Sequence, residues 1–491
     1  MESIKNTGAP LAELSPDLNK CPKNPKHIHL MGICGTGMAS LAGMLKSRGY
    51  RVSGSDQNVY PPMSDFLRGL EIPVMEGYRS ENLQPSPDLV IVGNVITRLN
   101  AEAIELSRRR IPYLSMPQAL RVFAMEGKRN VVVCGTHGKT TTTSLIAWIL
   151  DKGRKDPGFM IGGIPVNFGL NFRIGKGPFF VIEGDEYDTA FFDKGPKFLH
   201  YAPFYAVITS IEFDHADIYR DLDHVVESFR KFVKLLPPEG VLIANGDDPI
   251  VMAEAGKAAC RVITYGFGAD CDWKAGAIRY GERTTSLDVV RGGERVMTIE
   301  TPLYGRHNLS NLLSSVVLSD SVGLERGDLL EALRTYRGVK RRQEVKGEQG
   351  GILILDDFAH HPTAVRETIR AVKERFRERR LVAVFEPRSN SSRRKVFQEA
   401  YAHAFDQAEL VLVPDPPMPE KTPEEQRFSS AELVEALHKR GLDAVYGRDT
   451  AALIEEILHR CLPGDVLLFM SNGSFDNLPL RTLQKLQEQS Q

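Results

Sequence analysis

The chain has 491 residues, 42% hydrophobic and 25% charged, a composition of ordinary globular domains, and its length predicts two to four of them. Its 62 Lys+Arg and 63 Asp+Glu nearly cancel, which excludes the basic field that nucleic acid or an anionic membrane requires but leaves room for small anionic ligands held by local charge. There is no run of about 18 uninterrupted apolar residues and the opening MESIKNTGAPLAELSPDLNK has no charged head before an apolar core, so a soluble, cytoplasmic protein with neither nucleic-acid nor membrane partner is expected. The six cysteines, Cys21, Cys34, Cys134, Cys260, Cys271 and Cys461, form no CxxC pair, and neither a disulfide framework nor a zinc site is expected.

Residues 1–26 are polar and aperiodic and are expected to form an N-terminal extension. At His27 the texture changes. HIHLMGI, YRVSGSD and PDLVIVGN read as short strands and MASLAGMLKSRG as a helix, and the alternation predicts a parallel, doubly wound α/β domain over 27–127. The first turn, GICGTGM, sets Gly32, Gly35 and Gly37 before a helix, with Asp56 ending the next strand. This approaches a dinucleotide fingerprint, but the spacing is GxxGxG rather than GxGxxG, and a UDP-sugar also carries a pyrophosphate. An NAD-dependent dehydrogenase and a nucleotide-sugar enzyme are both compatible with it.

A second α/β domain is expected over 128–340. NVVVCGTHGKTTTTSLIAWIL reads as strand, glycine loop and helix, a context in which backbone N–H groups and the helix N-terminus attract phosphate, Lys139 reaches the terminal phosphates and Thr140 offers a hydroxyl to Mg²⁺. The strict GxxxxGK[ST] pattern is broken by Val133. Two acidic clusters follow strand-like runs: Glu183, Asp185, Glu186 and Asp188 in IEGDEYD, and Asp214, His215 and Asp217 in IEFDHAD. At the carboxyl ends of parallel strands they would face the same crevice as the glycine loop, and hard oxygens with one imidazole suit Mg²⁺ or Mn²⁺. A third α/β domain is expected over 341–491 from GILILDDF, LVAVFEP, AELVLVP and DVLLFMSNG, with PDPPMPEKTPEE (414–425) as a surface loop.

The motifs GICGTGM, GTHGKTT, EGDE, DH, GRHNLSN, RGVKRR and DDFAHHP, in this order and spanning 27–475, resemble the Mur ligase family. The resemblance implies an α/β architecture of a Rossmann-like N-terminal domain, a P-loop central ATPase domain and a Rossmann-like C-terminal domain. It implies an ATP- and Mg²⁺-dependent ligase that activates the lactyl carboxylate of UDP-N-acetylmuramate as an acyl phosphate. HIHLMGICGT, SDQNVYPPMS, FEPRSN and MSNG look like the branch whose acceptor is the murein tripeptide L-alanyl-γ-D-glutamyl-meso-diaminopimelate. The branch that adds L-alanine is the alternative, and a non-catalytic nucleotide sensor a more distant one.

On this resemblance Lys139, Glu183, His215 and His360 would be catalytic, and Thr140, Glu183 and His215 would hold metal. Gly135, Thr136, His137, Gly138, Lys139, Thr140 and Thr141, with His307, Asn308, Asn311, Arg342 and Asp357, would bind ATP. Gly32, Cys34, Gly35, Thr36, Gly37, Met38, Ser55 and Asp56 would bind the UDP-sugar, and His361, Arg388, Ser389 and Asn390 the peptide. Arg230 stands where many relatives have a carbamoylated lysine, so no carbamate is expected. The segment from Glu183 to His215 is longer than in the L-alanine pattern, and its Lys194, Lys197, His200 and Tyr201 are expected to favour a polyanionic acceptor. Oligomeric state is not legible from these residues.

Overall fold

The structure is a computed structural model and describes residues 11–281 and 283–489. Three sheets carry the fold. The first is all parallel, in the order Val74–Glu76, Arg51–Asp56, His27–Met31, Leu89–Val92, Tyr113–Ser115. Helices cover both faces, so Leu89–Val92 is a wholly apolar run and His27–Met31 is buried from Ile28 to Met31, His29 included. The strand order reverses beside His27–Met31, which opens a crevice at the carboxyl ends of that strand and Leu89–Val92. The two edge strands are three residues each, too short to leave a period in the sequence.

Residues 11–26 do not project as a free extension. Ala12 is buried, Leu14 and Leu18 pack beside it, and the Asn19 amide donates to Tyr113 O at 3.1 Å and Gln118 Oε1 at 3.0 Å. Three scattered apolar side chains anchor the segment without forming a pattern that sequence periodicity can register. Residues 1–10 of the expected extension lie outside the described residues.

The second sheet has ten strands. At its centre Arg129–Cys134 lies between Tyr205–Ile208 and Phe179–Gly184, all parallel. The phosphate loop and the two acidic clusters are therefore the continuations of three adjacent strands, past the same edge. Val133, which breaks the strict loop pattern, is a fully buried strand residue paired with Val207 and Glu183. At the far edge Trp273–Tyr280, Thr285–Arg291 and Glu294–Thr301 form an antiparallel extension that the sequence reading missed. These strands are half exposed, and their mixed polar composition hides them.

The third sheet runs Glu344–Gln349, Ile352–Asp357, Val466–Met470, Leu381–Phe385, Leu410–Pro414, Ala444–Gly447, with only the first strand antiparallel. Ile352–Asp357, Val466–Met470 and Leu381–Phe385 are neighbours, so the loops after Asp357, Met470 and Phe385 converge at one edge. Those loops meet the second unit: Thr363 Oγ1 donates to Glu212 Oε2 at 2.7 Å, and the Asn390 amide to Asp217 Oδ2 at 2.8 Å. Among the described residues no helix is long and apolar enough to cross a membrane.

Candidate active site

The phosphate loop turns on two glycines. Gly135 (φ +134°) lies against Thr209 and Gly138 (φ +83°) against Asn311; a Cβ would meet Thr209 Oγ1 at 2.0 Å or Asn311 Oδ1 at 2.4 Å, so neither position admits a side chain. Thr136 N donates to Ser210 O at 2.9 Å and His137 N to Ser210 Oγ at 3.1 Å, which fixes the loop against the neighbouring strand. The helix Lys139–Lys152 then begins without a side-chain cap. Its first-turn N–H groups and positive dipole end are the anion-binding element.

Lys139 Nζ donates to Gly135 O at 2.6 Å and to both carboxylate oxygens of Glu186 at 3.0 and 3.1 Å. Burial opposes the lysine's charge, but Glu186 and Asp185 outweigh it and hold the ammonium well above its ordinary range. Glu186 also sits 3.1 Å from His215 Nε2. Against its own burial, Lys139 and His215 bring the Glu186 carboxyl down to about 2. Glu183 is placed differently: it accepts from Thr140 Oγ1 at 3.0 Å and from Gly162 N at 2.5 Å. Burial, then Asp185, raises its carboxyl above the ordinary range.

Glu183 and His215, expected to hold metal together, have different neighbours: His215 meets Glu186, not Glu183. His215 adopts a left-handed backbone conformation (φ +54°), stacks on Tyr187 with ring centres 4.1 Å apart, and turns its Nε2 to Glu186. Glu186 is the residue of the acidic cluster that the sequence reading named but did not select. Thr140, Glu183, Glu186 and His215 are of the hard-oxygen and imidazole types that suit Mg²⁺, but they meet as two separate pairs, Thr140 with Glu183 and Glu186 with His215. The described acidic and histidine side chains whose ligand atoms converge within 4.8 Å are His137, Glu212 and His361.

Around the helix Arg306–Ser321, Asn308 donates to Tyr304 O and Gln343 Oε1, both at 3.1 Å, and Asn311 supports Gly138. His307 Nδ1 is buried without a hydrogen-bond partner. Arg342 crosses from the third unit, donates to Thr140 Oγ1 at 3.3 Å and stacks 4.7 Å over Phe358. Asp357 accepts from Gln343 N and Ala359 N, both at 2.7 Å, so its oxygens shape the turn that presents Arg342.

In the first unit Gly32 (φ +81°) and Gly35 lead into the helix Thr36–Ser47, and Gly37 and Met38 lie in its first turn. Asp56 accepts from Cys34 N at 2.9 Å and Asn58 N at 3.0 Å, tying the glycine loop to the neighbouring strand. Ser55 differs from the expectation: it is fully buried and its hydroxyl donates to Glu102 Oε2 at 2.6 Å, away from the crevice.

A cavity of about 220 Å³ at the edge of the third sheet is lined by His215, His360, Arg388, Ser389 and Asn390. Arg388 lies across Gly473, where a Cβ would meet its Cδ and Nε at 2.1 Å, and its guanidinium is 3.5 Å from buried Glu386. Asn472, from the loop after Met470, also lines the cavity. His361 is not on this wall. It caps the helix Pro362–Arg375, accepting from Thr363 N at 3.3 Å, and stacks on His137 with ring centres 4.8 Å apart.

The long segment after Glu183 carries structure that its sequence did not announce. Asp188–Ala190 and Asp193–Pro196 form a hairpin whose Phe192 meets Tyr113 of the first unit at 4.9 Å between ring centres. Lys194 pairs with Asp188, Lys197 with Asp185 and His200 with Asp193, and Tyr201 is buried. Each of the three cations thus faces a carboxylate of its own segment, Lys194 in a solvent-exposed pair, and the hairpin also joins two units. Arg230 faces Glu254, with contacts of 3.0 and 3.1 Å.

Burial, followed by the charge of His137, lowers both His307 and His361 to about 4. An unfolded histidine titrates near 6.5, so between pH 6.5 and 4 the unfolded chain binds more protons and stability falls as pH falls. Each histidine contributes a slope of up to about 1.4 kcal/mol per pH unit. Urea unfolding at pH 7.5, 6 and 5 should show this loss. His361→Asn, which keeps a capping side chain, should reduce the slope by one histidine's share; an unchanged slope would contradict it.

Three family models match the chain: Mur ligase family, catalytic domain over residues 27–127, Mur ligase middle domain over 133–319, and Mur ligase, glutamate ligase domain over 341–473. The UDP-N-acetylmuramate–L-alanyl-γ-D-glutamyl-meso-2,6-diaminoheptandioate ligase of Haemophilus influenzae is 37% identical over 466 residues, covering 94% of this chain and 99% of that protein. The crystal structure of a murein peptide ligase from Psychrobacter arcticus superposes with a TM-score of 0.70 at 33% identity, covering 94% of this chain and 99% of the other. That of the UDP-N-acetylmuramate–alanine ligase from Thermotoga maritima gives 0.77 at 26% identity, covering 95% and 100%.

Proposed function

The chain belongs to the Mur ligase family, and from that membership we propose that it joins L-alanyl-γ-D-glutamyl-meso-diaminopimelate to UDP-N-acetylmuramate at the expense of ATP, in the cytoplasm. The observation that carries the reading is the continuity of the phosphate loop, the Glu183/Glu186 cluster and His215 past three adjacent strands, with His215 lining a cavity shared with His360 and Arg388.

The lactyl carboxylate attacks the γ-phosphorus of ATP; the new C–O–P bond forms, the bond to the β-phosphate oxygen breaks, and ADP leaves. The peptide amine then adds to the acyl carbon, and the tetrahedral intermediate expels phosphate as the amide forms and the nitrogen loses a proton. Such chemistry is chiefly positioning and charge neutralisation. Lys139, released from Glu186, would neutralise the transferring phosphoryl group. Thr140, Glu183 and His215 would hold Mg²⁺, which when bound supplies further neutralisation of phosphate charge. His360 suits the proton transfer. Its Nδ1 lies 2.9 Å from Phe358 O, a carbonyl that can only accept, so Nδ1 carries the hydrogen and Nε2 is the basic nitrogen. Burial also lowers its pKa, which favours the neutral base. Gly32 to Met38, at the first helix N-terminus, would hold the UDP pyrophosphate.

Mass spectrometry of the reaction tests this directly. UDP-N-acetylmuramoyl-tripeptide should appear only with ATP and Mg²⁺ present, with one ADP and one phosphate per product. Tight NADH binding without response to ATP would instead favour the dehydrogenase reading of the glycine loop.

A further inference from the structure

Arg393 is 4% exposed, and its guanidinium forms no ion pair among the described residues. Its polar contacts are to neutral oxygens: one NH₂ donates to Asn390 Oδ1 at 2.7 Å, the other reaches Pro417 O at 3.4 Å, and Nε has no partner. Burial, followed by the charge of Arg388, disfavours its charged form, while Glu420 and Asp217 favour it from beyond ion-pair distance. A guanidinium stays protonated in such a place, and a buried cation without a carboxylate in direct contact is costly unless an anion joins it. Arg393 lines the cavity that holds His215, His360 and Arg388.

Lys421 lines the same cavity from the opposite chain segment. It is exposed and in no ion pair among the described residues. The proline-rich loop that carries it is held by the Arg393 contact to Pro417 O and by a left-handed turn at Met418 (φ +55°). Two cations 28 positions apart in sequence thus face one 220 Å³ space. The Asp214 carboxylate that also lines it accepts from His215 N at 2.6 Å, and the nearby carboxylate of Glu386 is occupied by Ser471 and Arg388.

We propose that Arg393 and Lys421 form an anion subsite that takes a carboxylate of the incoming peptide, in addition to whatever group Arg388 holds. The inference rests on the proposed ligase function. A murein tripeptide brings several carboxylates and free L-alanine one, so a second cationic subsite gives selectivity that a single clamp cannot. Arg393 is the pre-organised half, since its fork is fixed by Asn390. Lys421 is the adaptable half, a point charge on a flexible stem.

The test compares the tripeptide with an analogue whose diaminopimelate carboxyls are amidated, as acceptors for the intact enzyme and for Arg393→Gln, Arg393→Lys and Lys421→Gln. The unaltered enzyme should prefer the carboxylate form. Arg393→Gln should raise the tripeptide KM by about tenfold or more, raise it more than it lowers kcat, and abolish the preference, as expected when ground-state binding is lost. Arg393→Lys should retain part of the preference, and Lys421→Gln should reduce it without touching a buried residue. If Arg393→Gln does not fold, the other two variants decide. An unchanged carboxylate preference in Lys421→Gln and Arg393→Lys overturns the subsite. Failure of the unaltered enzyme to ligate the tripeptide at all overturns the ligase reading instead.

Discussion

Lys139→Ala is expected to lower kcat/KM by at least about 10³-fold, roughly 4 kcal/mol of transition-state stabilisation, the upper range for losing one oriented electrostatic contact. The ammonium sits at the mouth of the glycine loop, on Gly135 O and Glu186, with its charge reinforced by that carboxylate. Nucleotide phosphates would compete with Glu186 for it, so the substitution removes both the phosphate contact and the counter-charge of a buried acid. Glu186 would keep only His215 as a charged partner. Isothermal titration should find Mg²⁺-ATP binding lost. UDP-N-acetylmuramate binding should persist, because Gly32 to Met38 belong to a different sheet. Turnover within about tenfold of the unaltered enzyme would contradict the assignment.

Glu183→Gln is expected to cost about 10² to 10³-fold in turnover, with a higher Mg²⁺ concentration needed for half-maximal rate. Glutamine can still accept from Thr140 or Gly162, so the fold should survive while the metal-attracting charge is lost. Glu186→Gln separates two accounts of the cluster. If Glu186 chiefly pairs Lys139 and His215, its loss should alter the pH dependence and nucleotide affinity more than the Mg²⁺ requirement. A larger Mg²⁺ effect in Glu186→Gln than in Glu183→Gln would move the metal role from Glu183 to Glu186. Steady-state phosphate release across a Mg²⁺ series reads both variants.

The parts of this fold legible from sequence are those where one physical demand dominates. Strands buried on both faces are dominated by apolar residues, so Leu89–Val92, Leu381–Phe385 and the Val131–Cys134 part of Arg129–Cys134 stand out. A glycine loop between such a strand and a helix has few other uses. Short edge strands, and an antiparallel extension with one wet face, impose no such demand and were missed. Within the site, the sequence reading placed Glu183, Glu186 and His215 together and selected Glu183. That His215 faces Glu186 was not legible, because it depends on how the chain leaves Gly184 and on the left-handed turn at His215.

Ser55 misled for a related reason. Residues alternate sides along a strand, and Ser55 faces the buried Glu102 and His29 while Asp56 faces the glycine loop. The cations of the 188–200 hairpin looked available because their partners, Asp185, Asp188 and Asp193, lie in the same short segment. Arg393 and Lys421 carried no motif. Only the convergence of two loops at the third sheet's edge makes them a pair.

The central claim is that the acceptor is a murein tripeptide rather than a single amino acid. The most direct measurement is phosphate release from ATP with UDP-N-acetylmuramate and, in parallel, no amine, L-alanine, or L-alanyl-γ-D-glutamyl-meso-diaminopimelate. The account predicts a kcat/KM for the tripeptide at least about 100-fold above that for L-alanine, roughly 2.7 kcal/mol of differential transition-state binding. Equal or better ligation of free L-alanine would contradict it and leave the L-alanine-adding ligase as the function of this chain.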